Sequence, residues 1–497
     1  MNPPHRTSAT LPRPEGEAQQ RENEGLRAEN ERLRRKLAEQ DQQLAEQQKT
    51  ITDLERQLAL GKQNSTNSSK PPSSDGLAGE SRTRGRKTCK SRRKPGGQPG
   101  HRGHRRVNVP TEQVDETKTV LPAHCSHCQG DLPQKPDQTQ NVGTVRRHQV
   151  VELPVIQAHV TEYQFPAVVC PQCGKATREA VPPELQRQTG PQLTALAAYL
   201  TVVCRMPRRV LKDLTEQALG IPMSVGNTQA CWEEVSAAVA GPCQEIEQQL
   251  SQEVVLNVDE TGWRTNGEKR FLWAFVAARF VVYTIAATRG SDLLIQILGA
   301  VFAGILCSDR FSGYLKYHQG RAQYCWAHLK RNLLGVLEFT KQTATERFCR
   351  DALALHARLF RLWHKFKSGQ INREQLMRRS ISLQKKFFAL AEANLDDADR
   401  QVQNLAQALF VHADRLFTFL QYEGVEPTNN SAERALRTGV QWRKISFGNR
   451  SAAGETAARL LSVTQTCRLR QRNSLQYLSE AVANHRRGLP AASFLSR

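Results

Sequence analysis

The chain has 497 residues and carries 70 Lys plus Arg against 48 Asp plus Glu, which gives a formal net charge of +22. This length exceeds what one hydrophobic core supports and predicts about three domains, while the charge favours nucleic acid or an anionic membrane surface as partner. The longest largely apolar stretch, 193–204, is too short to cross a bilayer, and the N-terminal residues lack the apolar region of a secretion signal. We therefore expect a cytoplasmic, nucleoid-associated protein with no membrane partner.

Residues 1–62 are predicted to form a coiled-coil dimerisation helix. Heptad core positions over 26–58 carry Leu26, Leu33 and Leu54 in one series and Leu37, Leu44, Ile51 and Leu58 in the other. An Asn at a core position, Asn30, favours a parallel dimer in one register. The alternative is a solitary charged helix, which would have little apolar surface to bury.

Residues 63–110 change to a basic, Pro/Gly/Ser-rich composition that indicates a linker arm. The stretch 82–106 contains eleven Lys or Arg and no acid, so we expect an extended arm that follows DNA phosphates. A solvated tether is the alternative. The candidate DNA contacts in the arm are Arg86, Lys87, Arg92, Arg93, Lys94, Arg102, Arg105 and Arg106.

Residues 111–186 are predicted to form a β-rich zinc-binding domain. Two Cys-x-x-Cys knuckles are separated by 41 residues, and their four thiolates would complete a closed structural Zn2+ site. The predicted ligands are Cys125 and Cys128 in the first knuckle and Cys170 and Cys173 in the second. The long gap predicts a β-rich excursion over 145–163 between the knuckles. A redox pair is the alternative, although the surrounding pattern is not the βαβ context of such pairs.

Residues 187–250 are predicted to be a helical DNA-binding segment. A helix over 208–219, a stop at Gly220 and a helix capped by Ser224 resemble a helix-turn-helix. An ordinary helical bundle explains the same pattern equally well.

From residue 251 the pattern predicts an α/β domain that continues to 450. Apolar runs at 254–259, 271–278, 280–287 and 304–309 predict four strands of a mixed sheet, with a helix over 292–298. Residues 327–425 are helical in pattern and form a predicted insertion into this domain, and 451–497 are predicted to be a C-terminal helical region. The fold class is therefore multidomain α+β.

Three acidic residues are the candidate catalytic and metal-binding groups. Asp259 and Asp309 each close an apolar run, and Glu433 stands at the predicted start of a helix. Three converging carboxylates would hold two divalent cations for in-line attack on a phosphodiester. The alternatives are turn-forming roles for the two Asp residues and a capping box in which Glu433 bonds to the backbone of Asn430. Basic residues follow Glu433 as candidate phosphate contacts: Arg434, Arg437, Arg443 and Lys444.

Several motifs together resemble the bacterial insertion-sequence-sixty-six family of transposases across essentially the whole chain. They are Asn67-Ser-Ser-Lys-Pro-Pro-Ser-Ser-Asp75, Gly96-Gly-Gln-Pro-Gly-His101, Asp259-Glu-Thr261, Ser308-Asp-Arg-Phe-Ser-Gly-Tyr314, Cys325-Trp-Ala-His328 and Asn429-Asn-Ser-Ala-Glu-Arg434. The resemblance implies a ribonuclease H-like catalytic domain with Asp259, Asp309 and Glu433 as its acids. It also implies auxiliary positioning roles for Cys325 and His328, with local packing as the alternative. The run Gly262-Trp-Arg264 departs from the proline-containing run common in the family, which affects the expected local strand geometry.

The expected function is that of a DNA transposase that binds terminal inverted repeats and cleaves and joins strands with two Mg2+ (or Mn2+) ions per active site. The expected partners are double-stranded DNA, as transposon ends and target, and further copies of the chain in a homodimer or higher multimer. Small accessory proteins of the same element are further candidate partners that the resemblance implies. The alternatives are a non-catalytic, zinc-dependent DNA-binding regulator and a structure-specific nuclease of the same fold.

Overall fold

The structure is a computed structural model that describes residues 15–61, 107–135, 137, 143–340, 342–397, 399–446, 448–449 and 453–496. The chain divides into two compact units. The first comprises Met1–Ala78, Pro183–Met206 and Ala230–Arg497, and the second comprises Gly79–Pro182 and Pro207–Gln229.

The N-terminal segment is one long helix, α1 (Glu15–Gly61), which confirms the helix predicted from the heptads. Its core-position side chains lie open to solvent: Leu26, Leu33, Leu37, Leu44, Ile51 and Leu54 are each about half exposed or more. Pairing through this stripe remains a prediction.

The second unit contains two short antiparallel strands, β1 (Ala167–Val169) and β2 (Ala176–Arg178), on either side of the knuckle formed by Cys170 and Cys173. The predicted β-rich excursion over 145–163 is wrong, since that segment carries no regular secondary structure. Its Val150 and Val155 are more than 80% exposed. Alternating apolar residues stabilise a strand only where another strand and a core lie beside them, and this segment has neither.

Helix α3 (Arg208–Leu219) ends as the sequence predicts. Gly220 takes a left-handed φ of 65° at its C-terminus, which a residue with a Cβ adopts only with strain. Ser224 then caps α4 (Val225–Ala238), its Oγ accepting a hydrogen bond of 3.0 Å from the Asn227 amide.

The region 251–450 is built on a five-stranded sheet in the order β5-β4-β3-β6-β7. The strands are β3 (Val255–Thr265), β4 (Glu268–Val276), β5 (Val281–Ala286), β6 (Ile305–Ser308) and β7 (Ala322–Tyr324). The first three are antiparallel, whereas β6 runs parallel to both β3 and β7. The mixed α+β class is therefore confirmed.

Fifteen helices are described in all. The remaining ones are α2 (Pro191–Val202), α5 (Ala240–Gln249), α6 (Ser291–Leu298), α7 (Ser312–Tyr317), α8 (Trp326–Phe339), α9 (Thr343–Lys367), α10 (Arg373–Glu392), α11 (Arg400–Val411), α12 (Thr418–Gln421), α13 (Asn430–Ser446), α14 (Ala453–Leu469) and α15 (Ser474–Arg486).

Two features of the sheet differ from the sequence prediction. Strand β3 runs six residues beyond Asp259, because it forms a long hairpin with β4 through Asn266 and Gly267, both at positive φ. Strand β7 was not predicted, because three residues that include a glutamine carry little strand signal.

Two hydrophobic cores flank the sheet strands. Successive residues of β6 alternate between them, with Leu306 in the first core and Ile305 and Cys307 in the second. The second core is otherwise made mostly by the predicted helical insertion, so these helices are anchored on β6 and β7. Helix α13 returns the chain to the sheet and packs on β3 and β4.

Among the described helices, none combines the length and the apolar character that crossing a bilayer requires.

Candidate active site

Asp259 and Asp309 are brought side by side by the parallel pairing of β3 with β6. Asn257 is the register partner of Cys307, and each Asp lies two residues further along its own strand direction. Because side chains alternate along a strand, both carboxylates project from the same face of the sheet. Asp309 Oδ1 accepts a hydrogen bond of 2.9 Å from the Phe311 amide, which turns the chain away after β6.

Glu433 joins this site from the first turn of α13. Its Oε1 accepts a hydrogen bond of 3.2 Å from Arg331 Nη2 and lies 3.5 Å from His328 Nδ1. The Glu433 amide bonds to the carbonyl of Asn429, and the Asn429 side chain donates to the Val258 carbonyl at 2.8 Å, which ties the start of α13 to β3. The contacts of the carboxylate are thus with α8, not with the Asn430 backbone of the capping-box alternative.

The electrostatics of the site reflect the crowding of negative charge. Burial raises the pKa of Asp259 well above its usual value, and the nearby carboxylates of Glu260, Asp309 and Glu433 raise it further. Burial also raises the pKa of Asp309, although the Phe311 amide and the guanidinium of Arg289 oppose this shift. A carboxylate whose charged form is disfavoured by burial and by like charges gains most from a bound cation.

The donor set suits a hard divalent cation. Asp259, Asp309 and Glu433 offer carboxylate oxygens, which are the ligands Mg2+ takes in proteins, and the charges of Asp309 and Glu433 act on Asp259. It is the donor chemistry that fits Mg2+ or Mn2+, since among the described residues the three carboxylates do not form one ligand set within 4.8 Å.

Glu260 lies on the opposite face of β3, as strand alternation predicts. Its side chain is 1% exposed and accepts hydrogen bonds from Arg289 Nε and Tyr314 Oη. The Arg289 guanidinium also stacks 3.9 Å from the centre of the Phe311 ring. Glu260 is thus occupied by a buried ion pair and is not placed to join the three carboxylates as a ligand.

Cys325 and His328 both reach the site from the start of α8. The Cys325 amide donates to the Ser308 carbonyl at 2.9 Å, next to Asp309, and Cys325 Sγ accepts from the Asn429 amide at 3.2 Å. Burial raises the pKa of the Cys325 thiol to about 11, and burial together with Arg331 and Arg310 lowers the pKa of His328 to about 3. The imidazole is therefore neutral at physiological pH.

Arg331 is a site residue that the sequence reasoning missed. It follows His328 by three residues on α8, and its Nη2 lies 3.1 Å from His328 Nε2 as well as 3.2 Å from Glu433 Oε1. Its charge also opposes the raised pKa of Asp309. The only signal available was this helical spacing from His328, which places both side chains on one face of α8.

The sequence comparisons assign the chain to a family. Residues 186–457, more than half of the chain, match the family described as Transposase IS66 family. The chain belongs to the Transposase IS66 family. Residues 7–107 also match a Family of unknown function (DUF6444). The chain is 27% identical to the "Uncharacterized protein y4qI" of Sinorhizobium fredii (strain NBRC 101917 / NGR234) across 45% of this chain and 45% of that protein. It thus spans less than half the length of this relative.

In this IS66-family chain, the predicted DNA contacts fall into two groups. Arg434, Arg437 and Lys444 are exposed on α13. Arg443 is partly buried, and its Nη1 donates a hydrogen bond of 2.8 Å to the Gly262 carbonyl of β3. This nitrogen is therefore already engaged within the protein. The eight arm residues lie outside the described residues.

The zinc knuckles are well formed individually. In the first knuckle the Cys125 amide donates to the Gly130 carbonyl, and the Gln129 amide donates to the Cys125 carbonyl. In the second knuckle the Cys170 amide donates to the Lys175 carbonyl, and the Gly174 amide donates to the Cys170 carbonyl. All four hydrogen bonds are 2.9 Å long. The two turns are therefore equivalent. Hydrogen bonds from Cys128 and His127 lower the pKa of Cys125, and those from Cys173 and Gln172 lower the pKa of Cys170.

The four predicted Zn2+ ligands differ in exposure. Cys125 and Cys170 are partly buried, whereas Cys128 and Cys173 are exposed. Among the residues that the structure describes, the sulfurs of Cys125, Cys128, Cys170 and Cys173 do not come together as one ligand set within 4.8 Å. Each knuckle turn is fixed by its own short-range hydrogen bonds, whereas the meeting of two knuckles depends on the free energy of binding the ion. Ligation of one Zn2+ by all four, Cys173 included, remains a prediction.

Proposed function

We propose that this chain is a DNA transposase that cleaves the ends of an insertion sequence and joins them to target DNA. What supports the proposal is that Asp259 on β3, Asp309 after β6 and Glu433 on α13 lie near enough for the charges of Asp309 and Glu433 to raise the pKa of Asp259. Family membership supports the same role. We infer further that residues 251–450 form a ribonuclease H-like catalytic domain, supported by the three antiparallel and two parallel strands of its sheet.

Asp259, Asp309 and Glu433 would hold two Mg2+ ions. Two such ions, when bound, activate the attacking water or DNA 3′-hydroxyl and stabilise the leaving oxygen. Arg331 stabilises the negative charge of Glu433 in the protein alone. Cys325 and His328 position Glu433 and the α8 terminus relative to Asp309. The exposed cations of α13 would hold DNA phosphates beside the carboxylates.

The remaining parts of the chain would deliver DNA to this site. The arm at 63–110, the zinc-binding domain at 111–186 and the helical segment at 187–250 are the proposed readers of the terminal repeats. Pairing of α1 through its exposed stripe would bring two element ends together in one multimer. Small accessory proteins of the element are candidate partners of the same assembly.

The test is cleavage and joining of linear DNA that carries the inverted repeats flanking the gene. Asp259→Asn should bind these ends as tightly as the parent protein and lose Mg2+-dependent cleavage. Asp351→Asn, which alters an exposed carboxylate on α9, should retain both. Cleavage that survives in Asp259→Asn would contradict the assignment.

The two alternative functions give different results in the same assay. A non-catalytic regulator would bind the ends and cut nothing at any Mg2+ concentration. A structure-specific nuclease would cut branched DNA regardless of the terminal sequence and would leave the products unjoined.

A further inference from the structure

Cys325, His328 and Glu433 form a second possible cation site at the edge of the carboxylate cluster. One ligand atom from each, a sulfur, an imidazole nitrogen and a carboxylate oxygen, lies within 4.8 Å of the other two. Among the described residues, no other group of three or more His, Cys, Asp or Glu side chains brings its ligand atoms within 4.8 Å of one another. We propose that these three residues bind Zn2+, and that Zn2+ at this site withdraws Glu433 from the Mg2+ site.

The chemistry of the donors separates this site from the Mg2+ site. Thiolate and imidazole ligands suit Zn2+, whereas Mg2+ takes oxygen ligands. Zn2+ binds such donors at about 2.0–2.3 Å, so neighbouring ligands in a tetrahedral site lie roughly 3.3–3.7 Å apart. His328 Nδ1 and Glu433 Oε1 are already 3.5 Å apart. Cys325 Sγ needs to approach by about 1 Å at most, which a change of one χ1 angle provides.

The three ligands are held in place before any cation binds. Cys325 precedes α8 and His328 lies in its first turn, and the Trp326 amide bonds to the Pro427 carbonyl at 3.0 Å, immediately before the segment that leads to Glu433. The sulfur is buried, His328 is 13% exposed and Glu433 is 33% exposed. The site is thus closed on the protein side and open at Glu433, where a fourth ligand from solvent can complete a tetrahedron.

Arg331 competes with Zn2+ for the same two side chains. Its Nη2 donates to Glu433 Oε1 and lies 3.1 Å from His328 Nε2, so in this arrangement Nε2 is the acceptor and Nδ1 carries the proton. Binding of Zn2+ requires the lone pair of Nδ1. The imidazole proton then moves to Nε2, one proton leaves the Cys325 thiol for solvent, and Arg331 must turn away from the site. The cation therefore exchanges with the guanidinium.

Because Zn2+ would draw Glu433 Oε1 toward His328 Nδ1, which lies 3.5 Å away, we expect Zn2+ to compete with Mg2+ for this carboxylate and to inhibit Mg2+-dependent cleavage. This consequence rests on the proposed function, whereas Zn2+ binding itself does not. The two can fail separately, so binding is tested first without DNA.

Binding is tested by titrating the full chain with Co2+, which substitutes for Zn2+ and gives a thiolate-to-metal charge-transfer absorption. The spectrum of the parent minus that of Cys325→Ser should show the charge-transfer absorption of one Co2+ site with a single thiolate ligand. Cys349→Ser, which removes another buried thiol of the helical insertion, should keep that absorption. The knuckle variant Cys128→Ser should also keep it, which separates this site from the four-cysteine site.

Arg331→Met should tighten Co2+ binding at this site by at least about tenfold, since the competing cation is gone. Identical Co2+ spectra for the parent and Cys325→Ser would overturn the proposal, as would unchanged affinity in Arg331→Met. If Cys325→Ser does not fold, His328→Gln replaces it, with weakened Co2+ affinity expected and unchanged affinity overturning the site.

Inhibition is then measured as the fraction of Mg2+-dependent cleavage that added Zn2+ removes, relative to the zinc-free rate of the same variant. The parent should lose activity, and the loss should need more Zn2+ in His328→Gln. Equal sensitivity of both proteins would refute the competition. If the protein bound Co2+ at this site but cleaved no end DNA, the result would contradict the proposed function. It would still support the metal site.

Discussion

Gly439 permits the close approach of α13 to the sheet, and therefore the position of Glu433. A Cβ at residue 439 would lie 2.2 Å from Leu272 Cδ2 on β4, where carbon atoms normally rest about 3.5–4.0 Å apart. Leu272 is fully buried. Gly439→Ala must therefore move either the leucine or the helix by about 1.5 Å.

The expected effect of Gly439→Ala is a net loss of about 1–2 kcal/mol in the free energy of unfolding. Overpacking a buried site costs about 1–3 kcal/mol, and replacing a helical glycine by alanine returns about 0.5–1 kcal/mol. A shift of α13 also displaces Glu433, and about 1 Å of misplacement can slow catalysis on the order of a hundredfold.

Denaturant unfolding followed by tryptophan fluorescence would measure the stability change, because the rings of Trp263 and Trp442 lie 6.1 Å apart beside this contact. Gly241→Ala is the matched control, since a Cβ on that α5 glycine meets no atom within 4 Å and should be neutral or stabilising. The double variant Gly439→Ala/Leu272→Ala should be less destabilised than the sum of its parts. A Gly439→Ala protein as stable and as active as the parent would refute the reasoning.

Three further predictions follow from buried charges and from the knuckles. Because the pKa of Asp259 is raised in the folded protein, its contribution to stability is present in acid and is lost as pH rises through the folded pKa. In EDTA at pH 7, Asp259→Asn should therefore melt at a higher temperature than the parent. Near pH 4 the difference between the two melting temperatures should be smaller. Mg2+ should raise the melting temperature of the parent but not that of Asp259→Asn. If the two proteins melted at the same temperature in EDTA at both pH values, the predicted effect of Asp259 on stability would be contradicted. Arg486→Met should cost about 3 kcal/mol by leaving the nearly buried Glu234 with only Arg187 at 3.8 Å, whereas exposed Arg487→Met should be neutral in the same melts. Native mass spectrometry should count one tightly held Zn2+ fewer per chain in Cys170→Ser and in Cys173→Ser than in the parent and in Cys204→Ser, and an unchanged zinc count in either knuckle variant would refute the four-cysteine site.

Local features of the sequence were enough to predict several elements. The stop of α3 at Gly220, the Ser224 cap, the α1 helix and the positions of the first four sheet strands along the chain all depend on residues close together in the chain. Such features follow from φ preference, capping and alternation, which act over a few residues. Resemblance of the motifs then placed the chain in its family.

Elements that need a distant partner were the ones the sequence did not determine. The segment 145–163 alternates like a strand but carries no regular structure, and β7 is a strand although its three residues do not look like one. A strand exists only if another lies beside it: β7 pairs with β6, whereas 145–163 pairs with no strand among the described residues. The turn from Cys170 to Cys173 forms from its own short-range hydrogen bonds, whereas its pairing with the other knuckle on one Zn2+ remains a prediction.

The sequence by itself determined which residue types are available at the site, since Asp259, Asp309 and Glu433 each stand in a recognisable motif. Only the tertiary structure decided that β3 and β6 pair in the register that aligns the two Asp residues, and that Glu433 meets Arg331 and His328 and not its own helix cap. Strand alternation predicts that Glu260 faces the other side of the sheet from Asp259, but only the structure shows its partners Arg289 and Tyr314. The physical reason is that a carboxylate takes its role from the charges and donors around it, and here these come from strands and helices far apart in the chain.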